Sequence, residues 1–273
     1  MKKIGILFLG LISAFSFSQN TRFVYQVSMK TDSTAAPKIE NAYLDISTEK
    51  SIFYGEKRMK RDSTIRQAME TRNFNFDRNS MEQFRTAITY SIEKNHATKT
   101  ISYKDRIARD QYWYDEDRTF NWKILPETVK IGEYETQKAE TTFAGRKWFA
   151  WFTQDLPFID GPYKFSGLPG LIVKVEDEKG DYSFDLKETK KIAELPNFES
   201  RFGNNIKVKR SEFLTQQEKF NKDPMSFFQN QGGGFAMRMG GNQNPQNEAE
   251  RRKMMEERLK EEAKANNNPL EKN

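Results

Sequence analysis

SGLPGLIVKVED, Ser166–Asp177, sets two glycines around a proline and then sends the chain into four apolar residues in five positions, Leu171, Ile172, Val173 and Val175. Pro169 fixes its own φ at about −65° and pushes Leu168 into an extended conformation. Gly167 and Gly170 are free to take positive φ or to let another segment approach closely. The apolar run is thus aimed into a core from a set direction, with Leu171, Val173 and Val175 on one face and Ile172 on the other. With DYSFDLKET it forms a hairpin across Glu178 to Gly180.

The strand character extends in both directions. RFVYQVSMK (Arg22–Lys30) places Phe23, Tyr25, Val27 and Met29 at period two, and KIENAYLDIS places Ala42, Leu44 and Ile46 likewise. SIFYGE, TAITYSIEK, KTISYKD, DQYWYDED and TFNWKIL follow at short intervals. In RKWFAWF (Arg146–Phe152), Trp148, Ala150 and Phe152 fall on one face and Phe149 and Trp151 on the other, the pattern of a central strand covered on both sides. Pro157, Gly161 and Pro162 then force a turn. The fold class expected is mainly β, a single curved antiparallel meander or half-barrel. A short helix is expected at Ser211–Phe220 with Ser211 as N-cap. Met59, Ile65, Ala68 and Met69, within Lys57–Glu70, suit either one side of a helix or a long loop.

The ends differ from the body. MKKIGILFLGLISAFSFSQN has a basic start, an apolar stretch from Ile4 to Phe15 and small residues at Ser16 and Ser18, the anatomy of a signal peptide (1–18). Its apolar run is shorter than the roughly 20 residues a spanning helix needs, and no other segment is long and apolar enough. Without cysteine there is neither a lipoprotein anchor nor a disulfide. The expectation is an exported protein of the periplasm or outer-membrane periphery, not a lipoprotein, with no transmembrane segment after cleavage. A β-rich domain is expected over 19–222. A Gly/Asn/Gln-rich disordered linker follows (223–247), then a solitary charged helix (248–264) supported by Glu248–Arg252 and Glu256–Lys260, then a disordered tail (265–273).

Mean hydropathy is −0.88, yet 13% of residues are aromatic, so the core must lean on Phe, Tyr and Trp. Formal charge is +6, of which Lys2 and Lys3 leave with the signal peptide. The only dense basic run, Lys57–Arg61, has the character of a solvated face, and no recognition motif accompanies it, so no nucleic acid is expected. His96 is the single histidine, and zinc would need carboxylates for most of its ligation. Asp115, Glu116 and Asp117 suit a water-facing strand end. No cofactor, metal or catalytic residue is assigned.

From Phe120 to Asp177 the chain resembles the GLPGLI family of exported proteins from Bacteroidetes-type bacteria. The resemblance rests on the intact hexapeptide Gly167-Leu168-Pro169-Gly170-Leu171-Ile172. It rests also on Trp122, QKA at Gln137–Ala139, Gly145-Arg146, AWFT at Ala150–Thr153, Pro157 and Gly161-Pro162. Family members often carry a cysteine just before the QKA segment, where this chain has Thr136. The resemblance implies export, β-rich structure and no established activity; a likeness to periplasmic lipid-carrier half-barrels is architectural analogy.

Two readings of the motif stand side by side. In one it is a rigid strand entry packed against Trp148 or Trp151. In the other, Gly161, Pro162, Gly167, Leu168, Pro169 and Gly170 form the rim of a concavity lined by some of Trp113, Trp122, Trp148, Phe149, Trp151 and Phe165. Arg146 then anchors an acidic or amide group of a ligand. The function expected is a non-catalytic binding or carrier module for an envelope protein, a peptide or a lipid. Alternatives are a hydrolase using Asp155 and Asp160 with Arg146, and an interaction protein docking through its C-terminal helix.

Overall fold

The computed structural model describes residues 20–73, 83–198, 203–230 and 245–272. The N-terminal segment 1–18 lies outside them, as does most of the 223–247 linker.

The described residues form one open 12-stranded sheet in the order β12-β6-β5-β4-β3-β2-β1-β11-β10-β9-β8-β7. The strands are β1 (Asn20–Met29), β2 (Lys38–Ile46), β3 (Lys50–Gly55), β4 (Ser91–Asn95), β5 (Ile101–Ile107), β6 (Asp110–Asp115), β7 (Lys123–Ile131), β8 (Tyr134–Phe143), β9 (Arg146–Thr153), β10 (Leu171–Asp177), β11 (Tyr182–Ile192) and β12 (Asn205–Lys207). All neighbours are antiparallel except β12, which runs parallel to β6. Among the described residues four helices accompany them: α1 (Glu56–Thr71), α2 (Arg210–Lys222), α3 (Pro224–Asn230) and α4 (Pro245–Lys264). The mainly β, curved meander is what the period-two pattern called for.

Alternation decides which face is buried. Phe23, Tyr25, Val27 and Met29 of β1, Ala42, Leu44 and Ile46 of β2, and Trp148, Ala150 and Phe152 of β9 all join one apolar core on the inner face. The sheet curls around that core. Residues 154–170, which join β9 to β10, fold back onto the inner face instead of making a tight turn. Lys164 of this loop touches Tyr114 on β6, Phe165 touches Trp148 on β9, and Asp160 touches Lys94 on β4. Strands near opposite ends of the order therefore meet the same loop. Phe213 of α2 closes the inner face over Tyr103 and Tyr114. On the outer face α1 lies against β2 and β3, and the buried Asp45 there accepts from Arg22 and from the Tyr54 hydroxyl at 2.6–2.8 Å.

Several expectations are corrected. β9 is third from an edge, and among the described elements it has appreciable contacts only with its sheet neighbours β8 and β10. Phe149 and Trp151 are half-exposed. They carry cations from neighbouring strands: Lys138 lies 4.7 Å from the Phe149 ring centre and Lys174 5.2 Å from that of Trp151. Period two fails in β10, because a bulge between Ile172 and Lys174 leaves Ile172 opposite Phe152 and Val175 opposite Ala150. Ile172 thus joins Val175 in the inner core. Glu56–Thr71 settles as a helix, and Arg58 within the basic run is buried, stacked 4.6 Å from the Phe198 ring centre. Ser211 lies inside α2, whose N-cap is Lys209; the Lys209 N–H donates to Glu212.

Beyond the sheet, residues 224–230 of the expected linker are helical. The charged helix is present as α4, with Lys260 donating to Glu256 at 2.6 Å. The expected disordered tail is corrected too: residues 267–272 return to the sheet and hydrogen-bond to it.

Candidate functional site

The hexapeptide is an entry device. Gly170 has φ +145°, and a Cβ there would overlap the Thr153 carbonyl. Its N–H donates to Leu168 O at 2.8 Å, closing a tight turn around Pro169. Leu168 is buried, whereas Gly167 (φ +92°) and Pro169 are exposed. Leu171 and Ile172 then pass beneath the loop, with Ile172 N–H donating to Asp160 O at 2.9 Å and Tyr25 O–H donating to Ile172 O at 2.7 Å. Gly161 packs so closely that a Cβ would come within 2.8 Å of the Ile172 side chain.

The aromatic candidates divide between the faces. Trp148 is fully buried and donates from Nε1 to Phe143 O; Trp122 donates to Ser166 O at 2.9 Å; both rings pack on Phe165. Phe149, Trp151 and Trp113 face outward, the last beneath Lys207. The rim residues Gly161, Pro162, Leu168 and Gly170 are buried in the loop that fills the inner face. Thr136 is buried and donates its hydroxyl to Val129 O at 2.5 Å.

The carboxylates proposed for hydrolysis are not brought together. Asp155 is exposed. Asp160 is buried and accepts from Lys94 Nζ at 2.5 Å, with His96 Nε2 at 3.8 Å. Lys94 also donates to Gly161 O and Phe165 O, so all three ammonium protons hold the loop. Burial opposes the charge on Asp160, but Lys94 and His96 outweigh it and hold its carboxyl below the usual range. Arg146 pairs with neither: Nη1 donates to Asp177 at 2.7 Å and Asp181 at 3.2 Å, and its plane lies 4.7 Å from the Tyr182 ring centre.

The remaining Arg146 donors go to the C-terminal segment. Nη2 donates to Asn268 Oδ1 and Pro269 O, and Nε to Leu270 O, at 2.7–3.0 Å. Beside it lies a charge cluster absent from the sequence expectations. Lys164 is fully buried and donates to Glu116 and Glu271 at 2.6 Å each and to Tyr114 O–H at 3.0 Å. The rings of Tyr103, Tyr114 and Tyr163 stand 5.0–5.4 Å from its nitrogen. Arg118 bridges Glu116 and Glu271 at 2.7 Å. Glu116 is the middle residue of the acidic run expected to face water; its side chain is fully buried.

Burial works against ionised Glu116, yet the bonds from Arg118 and Lys164 hold its pKa down at about 2. A depressed carboxylate stabilises the fold above its unfolded pKa and loses that contribution as pH falls through the folded value. Glu116 therefore adds roughly 3 kcal/mol that fades between about pH 4.5 and 2. Urea unfolding of wild type across that window should show this fall, and Glu116→Gln, already weaker at pH 7, should show a flatter profile.

The fold and this inner face together define an open, curled antiparallel sheet whose aromatic-lined concave side is sealed by its own loop and C-terminal segment. Residues 141–174, which span β9, the loop and the hexapeptide, match the model of a family described as "Protein of unknown function (Porph_ging)". No curated protein sequence matches the chain. Two crystal forms of PNGF-II share the fold: TM-scores are 0.53 and 0.54 at 18% and 17% identity, over 72% and 74% of this chain and 33% of PNGF-II. The chain thus spans about a third of PNGF-II's length. A LolA superfamily protein from Nitrosomonas europaea aligns at a TM-score of 0.27 and 10% identity over 66% of this chain and 88% of that one. Among the described residues, no helix is long and apolar enough to cross a membrane.

Proposed function

We propose that this is an exported binding or carrier module of the cell envelope, of the GLPGLI type, which holds its ligand against the concave face. One observation carries the reading: the inner face is covered by inserted segments and not by a second sheet, and its polar anchors converge at one end. Those anchors are Arg146, Lys164 and Arg118, which stand over the rings of Tyr182, of Tyr103, Tyr114 and Tyr163, and of Phe143 respectively. The intact hexapeptide and the signal-peptide anatomy of residues 1–18 support the family and the export. Arg146 serves as the anchor. Gly161, Pro162, Gly167, Leu168, Pro169 and Gly170 shape the loop that borders the site, and Trp151 lies on the opposite face. A hydrolase reading finds no support in the exposed Asp155 or in the separate partners of Asp160 and Arg146.

Native mass spectrometry of the full chain after incubation with an envelope extract tests this. The expected result is a one-to-one adduct, with higher occupancy in Asn268→Ala, where the C-terminal segment is loosened. Cooperatively folded protein that recovers no adduct in either form would contradict the proposal.

A further inference from the structure

We infer that the groove occupied by residues 267–272 is a receptor site for an acidic linear peptide segment of another protein, and that the C-terminal segment is a built-in occupant which such a peptide displaces. This rests on the binding-module reading and names the ligand class of the same site.

The charge balance demands an acid. Lys164 and Arg118 bring two positive charges, and Glu116 supplies one negative charge. Lys164 and Glu116 are fully shielded from solvent. An occupant that closes this corner without bringing a carboxylate leaves one uncompensated cation shut away from water, which is costly. Glu271 restores neutrality: one oxygen accepts from Lys164 and from the Tyr163 hydroxyl at 2.6 Å each, and the other from Arg118 at 2.7 Å. An acyl chain or an uncharged peptide offers nothing for this corner.

The rest of the groove recognises main chain. Asn268 N–H donates to Thr31 O and Lys272 N–H to Ala144 O, both at 2.8 Å. Tyr182 O–H donates to Asn268 O at 2.6 Å, while Arg146 donates to the successive carbonyls of Pro269 and Leu270. Three side chains are selected besides the acid: the Asn267 carboxamide accepts from Ser33 N–H at 2.9 Å and donates to Asp32 at 3.0 Å. The Asn268 carboxamide lies between Arg146 and Lys30 O, and Leu270 packs against the core. Gly145 (φ +73°) clears the path, since a Cβ there would stand 2.8 Å from Lys272 Cβ. The pattern accepted is two asparagines, any residue, an aliphatic residue, then an acid. Of the elements, α4 contacts only α2 and α3 appreciably, so the short segment itself carries most of the docking. A tethered occupant of this kind competes as an internal ligand at an effective concentration in the millimolar range, which a better-matched free peptide can overcome.

The test uses a fluorescein-labelled peptide of residues 265–273, titrated by anisotropy into three full-length proteins: wild type, Asn268→Ala and Glu271→Ala. Thermal melts confirm folding; Asn268→Ala leaves the Lys164 cluster intact should Glu271→Ala prove too unstable. Saturable binding is expected in the loosened variants, at least about tenfold tighter than in wild type. A peptide with glutamine in place of the glutamate should bind the same variants at least about tenfold more weakly, as loss of a charge-assisted contact requires. Absence of binding to a folded variant, equal affinity for wild type and variants, or equal binding of the glutamine peptide would overturn the inference. Tail-exchanged dimers of wild type in light scattering would assign the groove to a second copy and overturn the assignment to a different protein. If the envelope extract yields an adduct while the peptide does not bind, this inference fails and the binding-module reading stands; if neither binds, both fail.

Discussion

Gly170→Val is expected to destabilise the fold by at least about 3 kcal/mol, through strain at positive φ and overlap with a neighbouring main chain. The position has φ +145°, and the first side-chain carbon would overlap the Thr153 carbonyl. Thr153 is Leu171's partner in the β9–β10 ladder, so relief by backbone movement breaks the pairing that starts β10. Gly167 provides the internal control. It too has positive φ, +92°, but nothing lies near the position a Cβ would take. Gly167→Ala should therefore show only the backbone penalty, about 1 kcal/mol. Urea unfolding of both variants separates close approach from conformation. A Gly170→Val protein as stable as wild type would remove the hexapeptide's role as the guide into the sheet.

Lys164→Met is the second large effect. The methionine fills much of the space but leaves Glu116 and Glu271 sharing Arg118 alone, in a site closed by three tyrosine rings. Breaking a buried ion pair from one side costs about 3–5 kcal/mol. The acid window should also move: with Lys164 gone, Glu116 loses one of its two cations, its pKa rises from about 2, and stability falls at a higher pH than in wild type. Lys164→Met combined with Glu116→Gln should recover part of the loss, because the second change removes the stranded carboxylate. Purely additive penalties in the double variant would argue against direct coupling.

The two effects come from different kinds of sequence information. The turn at Gly167–Gly170 was legible because proline and glycine act through the backbone, whatever surrounds them. The inner faces of β1 and β2 were legible because a sheet with one buried face imposes period two. β9 misled, since Phe149 and Trp151 satisfy their rings with lysines from β8 and β10, which no local pattern displays. The bulge that turns Ile172 inward is likewise set by the pairing with β9 and not by composition.

The charge cluster was hidden for a stronger reason. Glu116 stands in an acidic run, Lys164 in a Gly/Pro-rich loop and Glu271 in an Asn-rich end, and each alone has the composition of surface. Their partners lie 48 and 107 positions apart. Residues 265–273 contain a single large apolar side chain, Leu270, so hydrophobicity gives no sign of docking; the segment is held by directed polar bonds to Arg146 and Lys164. The same separation hid His96, which meets Asp160 only because the loop folds back across β4.

Hydrogen–deuterium exchange of the full-length protein at neutral pH tests most directly whether the concave face is sealed by its own chain. Two amides decide it: Asn268, donating to Thr31, and Lys272, donating to Ala144. The structure predicts protection of both, well beyond that of an unstructured chain end, and loss of that protection in Asn268→Ala with Tyr25 and Val27 of β1 still slow. Exchange of Asn268 and Lys272 at the rate of a free peptide in the wild-type protein would contradict it.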